Sequence, residues 1–176
     1  MKAIKLLAFV MLFSSSIVMS CSDDDSDGGS SCVDYVDQAV QGSFRGTDFV
    51  SPEAFYKVLT FGETTSIRGE IYVKENLDSD CSFPTFAGDQ DIILFPIPSL
   101  ETQTITLEEF GENTLNFNRI TNTETGLVTE VELAECGTIQ ITSYDADAGI
   151  MEGTVVARGQ FGSNVNGNFT LVLCEF

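Results

Sequence analysis

The chain has 176 residues, 43% of them hydrophobic, with 14 Phe, no Trp, no His and a formal net charge of -19. That length fills one ordinary domain rather than two, and so acidic a surface repels phosphate backbones, which excludes nucleic acid as a partner. Without histidine, Ser-His-Asp and Cys-His catalysis are excluded and the commonest zinc ligand is missing.

Residues 1–20 read as a signal peptide. Lys2 and Lys5 precede an apolar run from Leu6 to Phe13, and Ile17, Val18, Met19 and Ser20 lead to a cleavage point. The run is too short for a membrane-spanning helix, which needs about 20 residues. The stretch Val18-Met19-Ser20-Cys21 resembles a bacterial lipobox, in which the cysteine is acylated and becomes the new N-terminus. The acids that follow, Asp23, Asp24 and Asp25, resemble the surface-export signal of Bacteroidota lipoproteins. These resemblances imply that Cys21 carries diacylglyceryl and N-acyl (palmitate-type) chains, and that the protein sits in the outer membrane, exposed at the cell surface. Cleavage would remove two lysines and no acids, taking the net charge from -19 to -21.

Residues 21–31 form the acylated cysteine and an acidic tether, with no apolar side chain after Cys21 to offset the entropy of ordering. The domain proper is expected over 32–176. Its first residues place Val33, Val36 and Val40 at roughly helical spacing, which predicts one short helical turn.

From Gln41 the hydrophobic period is two. Ile67, Gly69, Ile71 and Val73 share a face, against Arg68, Glu70 and Tyr72. The stretch from Asp91 to Phe95 is continuously apolar after its first residue, so a central strand buried on both sides is predicted there, ended by Pro96 and Pro98. Ile105 and Leu107, then Leu115 and Phe117, then Thr129, Val131 and Leu133 alternate with polar residues. Ile139 and Ile141, then Phe169, Leu171 and Leu173, do the same. Gly, Asn and Asp clusters separate these runs. Together they predict an all-β, single antiparallel domain of about eight to ten strands, either a closed or partly open, lipocalin-like barrel or a two-sheet sandwich.

The last forty residues predict a three-stranded meander: Cys136 to Tyr144, a turn over Asp145 to Gly149, Ile150 to Arg158, and Gly167 to Phe176. Here Gly137-Thr138-Ile139-Gln140-Ile141-Thr142-Ser143-Tyr144-Asp145, Gly153-Thr154 and Gly167-Asn168-Phe169-Thr170 resemble the C-terminal signature of a group of uncharacterised Bacteroidota surface lipoproteins. Gln41-Gly42-Ser43-Phe44 and Phe49 resemble that group's opening strand. The resemblance implies a β-rich, lipocalin-like or sandwich domain and brings no catalytic residues.

Four cysteines remain beside Cys21. Cys32, Cys81, Cys136 and Cys174 are an even set in an exported chain, which reads as two disulfides. Three pairings are open, and the spacing leans towards Cys81 with Cys136 and Cys32 with Cys174. A metal site is a poor alternative without histidine or a Cys-x-x-Cys pair.

The candidates for chemistry are few. Glu108 with Glu109, and Glu130 with Glu132, are carboxylate pairs of the kind a glycosidase needs, but they fall on the polar faces of strands and read as solvated. Lys57 and Lys74 have exposed-looking neighbours. Asp145 and Asp147 alternate as in some calcium loops, yet two acids fall short of the six to eight oxygens calcium takes, and turn chemistry accounts for them. No enzyme activity, metal or cofactor is expected. Phe44, Phe49, Phe55, Tyr56, Phe83, Phe86 and Phe117 read as core, or as the lining of a cavity if the strands close. The long segment Leu77 to Asp89, with Phe83 and Phe86, is the expected contact surface. The function expected is non-catalytic binding of a small ligand, a glycan or an envelope protein. The alternatives are a structural or accessory subunit using an exposed strand edge, or a small hydrolase.

Overall fold

A computed structural model describes residues 33–74 and 89–174. Every element among them is a strand, as the period-two patterning predicts. They are β1 (Gln41–Phe44), β2 (Thr47–Val50), β3 (Ala54–Phe61), β4 (Thr64–Tyr72), β5 (Gln90–Ile97), β6 (Gln103–Thr106), β7 (Asn116–Thr123), β8 (Gly126–Asp145), β9 (Ile150–Gly159) and β10 (Asn164–Leu173). All belong to one sheet.

The pairings return on themselves, so the sheet is ring-like. The circuit runs β3-β4-β5-β7-β8-β9-β10, and β10 meets β3 again through Val172–Phe55 and Leu173–Tyr56. That last contact is parallel; the other strand pairs are antiparallel. The β1–β2 hairpin hangs on β10, and β6 on the far edge of β8. Two separate sheets, the sandwich arrangement, are not what forms.

The strand β8 makes this economy work. Its first half pairs with β7 and its second half with β9 and β6. The changeover coincides with a bulge between Ala134 and Cys136, where an extra residue bends and twists a strand. The three consecutive strands β8, β9 and β10 are the predicted meander.

Inward-pointing residues fill the ring. Tyr56, Ile71, Ile93, Phe95, Leu115, Phe117, Ile139, Ile141, Met151, Val155 and Leu171 are all within 1% of full burial. Large rings are accommodated by small partners. A Cβ at Gly69 would lie 2.3 Å from the Phe95 ring, and one at Gly153 2.7 Å from the Phe169 ring. Phe95 and Phe169 in turn pack with centroids 5.9 Å apart, and Phe44 meets Phe117 edge-on at 6.2 Å.

Three expectations need correction. The segment 33–40 is not helical. It forms an extended strap, because the Asn166 amide accepts from Val36 N at 2.9 Å and donates to the Asp34 carbonyl at 2.7 Å, while Asn168 N donates to Gln38 O and Val40 N to Asn168 O. Side-chain and edge hydrogen bonds here outcompete a single helical turn, whose nucleation is costly. Second, Pro96 does not end β5, which continues to Ile97. The β7 ladder stops at Leu94–Asn116, so no partner on that side requires the missing N–H. Third, the phase of early β8 is inverted: Val131 is 47% exposed, while Glu132 is fully buried. Asn118 pairs with Val131 and Phe117 with Glu132, so the ring places the acid, not the valine, on its inner side.

Candidate functional site

The outward faces of β3, β4, β5 and β7 carry the most polar chemistry. Alternation sends Lys57, Arg68, Glu70 and Tyr72 outward, opposite the core residues Tyr56, Gly69 and Ile71. Read from sequence, this is a solvated strand face. In the structure Lys57, Glu70 and Tyr72 are each only 1% exposed.

Glu70 organises the group. Its Oε1 accepts from Arg68 Nε at 3.0 Å and Nη2 at 2.6 Å. Its Oε2 accepts from Lys57 Nζ at 3.0 Å and from the Tyr72 hydroxyl at 3.2 Å. One carboxylate thus serves two cations and a phenol, which is how a buried charge is tolerated. Burial, and next the Glu70 carboxylate, push the Tyr72 phenol well above its ordinary pKa. Phe55 seals the side of this group with an edge-on contact to Tyr72 at 5.9 Å.

Next to it lies an open groove of about 440 Å³, within the range of small-ligand sites. Leu59, Leu94 and Pro96 give it an apolar floor, with Ser66 and Arg68 along one side. The β6–β7 connection adds Glu112 and Thr114, and β7 adds Asn116. The Asn116 Oδ1 is buried and accepts no hydrogen bond from the described residues, as is true of Asn118 Oδ1 and Gln90 Oε1 on the same outward face. Unmet acceptors of this kind are uncommon in folded proteins. The groove offers a guanidinium, a carboxylate, two hydroxyls and an amide around a small apolar patch. That set suits a neutral polar ligand bearing several hydroxyl groups.

Three of the four paired carboxylates, Glu109, Glu130 and Glu132, have partners within the fold. Glu132 Oε1 accepts from Phe161 N at 2.7 Å and Ser163 N at 3.1 Å, and its Oε2 from the Ser163 hydroxyl at 2.6 Å. The acid closes the β9–β10 turn. Glu130 pairs with Arg45 at the end of the ring where Arg119 grips Asp91 through two bonds of 2.7 and 2.9 Å and lies over the Phe44 ring. Glu109 accepts from Gln160.

The calcium candidates behave as a turn. Asp145 Oδ1 accepts from Asp147 N and Ala148 N, an Asx turn that satisfies the hairpin tip. Among the described residues no three His, Cys, Asp or Glu side chains converge on a point. Phe44, Phe49, Tyr56 and Phe117 belong to the core, and Phe55 lies on the outer face. Cys21, Cys32, Cys81, Phe83 and Phe86 lie outside the described residues.

Cys136 and Cys174, the two cysteines among the described residues, stand near opposite ends of β9 and are too far apart to bond one another. The Glu70 cluster and the Glu132 turn were missed by sequence reasoning. Only the recurrence of Arg68, Glu70 and Tyr72 at every second position marks the first, and nothing local marks the second.

Comparison of the chain with protein-family models, with curated proteins and with solved structures finds no match.

Proposed function

We propose that this is a lipid-anchored lipoprotein of a Bacteroidota outer membrane, displayed at the cell surface, whose all-β domain binds a ligand without catalysing its conversion. The localisation rests on the order of features in the sequence: basic start, apolar run, lipobox-like Cys21, acidic tether. Stable anchoring needs more than one acyl chain, since each buried methylene adds about 0.8 kcal/mol and a single chain is marginal.

The binding reading is carried by one observation: the open groove over β4, β5 and β7, with an unmet acceptor at Asn116 and the Arg68 guanidinium at its side. A hydroxyl-rich ligand, as a glycan unit is, supplies donors to Asn116 and acceptors to Arg68. Glu132 is committed to a turn and Glu130 to an ion pair, which favours binding over hydrolysis.

Two measurements test this. Cys21→Ala should move the protein from the membrane fraction to the soluble fraction, and mass spectrometry of the parent should find an acylated N-terminal cysteine. An unmodified N-terminus upstream of Cys21 would overturn the anchor. A glycan array probed with the soluble domain should give hits that weaken at least tenfold in Asn116→Ala, a loss of about 1.4 kcal/mol. Hits indifferent to Asn116 and Arg68 substitution would remove the groove from consideration.

A further inference from the structure

The first half of β8 has an open edge. Residues 126–133 pair with β7, and β9 joins β8 only from Ala134 onward. After Gly159 the chain adds one more bond, from Gln160 N to Leu133 O at 3.1 Å, and then turns back into β10. Among the described residues no strand occupies the place in line with β9 beyond that point.

Three residues turn their backbone groups to this edge. Ala134 N donates to Leu115 O on the β7 side, whereas Leu133 O faces the β9 side. Antiparallel ladders alternate residue by residue, so Leu127, Thr129 and Val131 direct their N–H and C=O groups away from β7. The row 127–131 is about 17 Å long. Natural edge strands are blunted by lysine, proline, a bulge or a covering loop. This row contains no Lys or Pro and keeps an unbroken register with β7. Every residue from Glu124 to Val131 is exposed.

Apolar side chains line the same place. Leu127 and Val131 stand on the outward face, each about half exposed. Phe161, whose N–H donates to Glu132, is 74% exposed at the head of the open row. Phe110 follows Glu109, which holds the Gln160 amide, and is 75% exposed. On the opposite face Glu130 meets Arg45 yet keeps half of its side chain in solvent.

Charge decides what fits. Every Lys and Arg among the described residues already meets a carboxylate: Arg45, Lys57, Arg68, Lys74, Arg119 and Arg158. With 27 Asp and Glu against 8 Lys and Arg in the chain, the surplus is negative, so a second copy is repelled and a cationic partner attracted. We propose that an extended, cationic segment of another protein adds to early β8 as a strand. Its apolar side chains lie over Leu127, Val131 and Phe161, and its Lys or Arg side chains take the face of Glu130. Main-chain hydrogen bonds supply affinity, and the alternation supplies selectivity. β7 separates this edge from β5 and the groove beside it, so the two surfaces stand apart.

The full-length exported protein is screened against a library of peptides of about eight residues that carry Lys or Arg at alternate positions and apolar residues between. Binders should weaken in high salt and slow hydrogen exchange at Leu127, Thr129 and Val131. Thr129→Pro removes an edge N–H that β7 does not use. The strand signal in circular dichroism should therefore survive while binding falls about tenfold or more. A second variant, Leu127→Lys with Val131→Lys, removes the apolar row, opposes incoming cations and should weaken the same peptides. A library without binders would overturn the proposal, as would protection confined to the β2 or β6 edge. Equal binding by peptides of the same composition with their charges in one block would do the same. Concentration-dependent dimers in sedimentation that Thr129→Pro abolishes would give the edge to a second copy and reject the cationic partner.

Discussion

Glu70 accepts from Arg68, Lys57 and Tyr72 while almost wholly out of water. The attraction among these groups offsets a desolvation cost of several kcal/mol per ion. Removing one partner is therefore far worse than removing the pair. Glu70→Gln should destabilise the domain by about 3–5 kcal/mol in urea melts, because two cations then face a neutral amide. Combining Lys57→Met with Glu70→Leu should recover most of that loss. A single variant within 1 kcal/mol of the parent would mean that the cluster contributes little. Sequence reasoning sees Lys57, Glu70 and Tyr72 as outward-facing and stops there. Alternation fixes which face a side chain takes, but whether another part of the chain covers that face is a tertiary fact. Glu132 shows the same limit from inside the ring: its partners, Phe161 and Ser163, stand about thirty residues away.

At the level of elements, most strands were legible because their pattern is local. Ile67, Gly69 and Ile71, then Ile139 with Ile141, and Phe169 with Leu171 face inward as their alternation requires. Early β8 was not legible, since Thr129, Val131 and Leu133 alternate as well as any buried set and their pairing with β7 sets the opposite phase. The strap was misjudged for a related reason: valines at helical spacing say nothing about Asn166 and Asn168. Its close approach depends on Gly167, which has φ +132° and where a Cβ would lie 2.7 Å from the Gln38 carbonyl oxygen. Gly167→Ala should cost about 1–3 kcal/mol and speed hydrogen exchange at Val40 and Asn168. Gly162→Ala, with φ +92° and open space around it, should leave those two amides protected. Equal exchange in the two variants would show that the strap does not depend on that close approach.

For the whole molecule, the all-β class and the single domain followed from composition and period, whereas ring closure through β10 and β3 joins positions too far apart in sequence for any pattern to signal. Closure also buries tyrosines, and this has a pH consequence. Burial raises the Tyr56 phenol to about 12, and burial with Glu70 raises Tyr72 further, against about 10 in an unfolded chain. The fold thus favours the protonated phenols. Their contribution is complete below pH 10 and is lost as pH rises through about 12. Absorbance at 295 nm should show Tyr56 and Tyr72 ionising together with loss of the strand signal in circular dichroism, between pH 10 and 12. Ionisation of all four tyrosines near pH 10 in a still-folded domain would contradict the burial described.

The strap also determines how the domain bears a pull from its N-terminal side. Tension towards residue 33 acts along β10, so the bonds of Asn166 and Asn168 are loaded together in shear rather than peeled singly. A domain hung this way should resist a steady pull on that end better than its few strap contacts suggest.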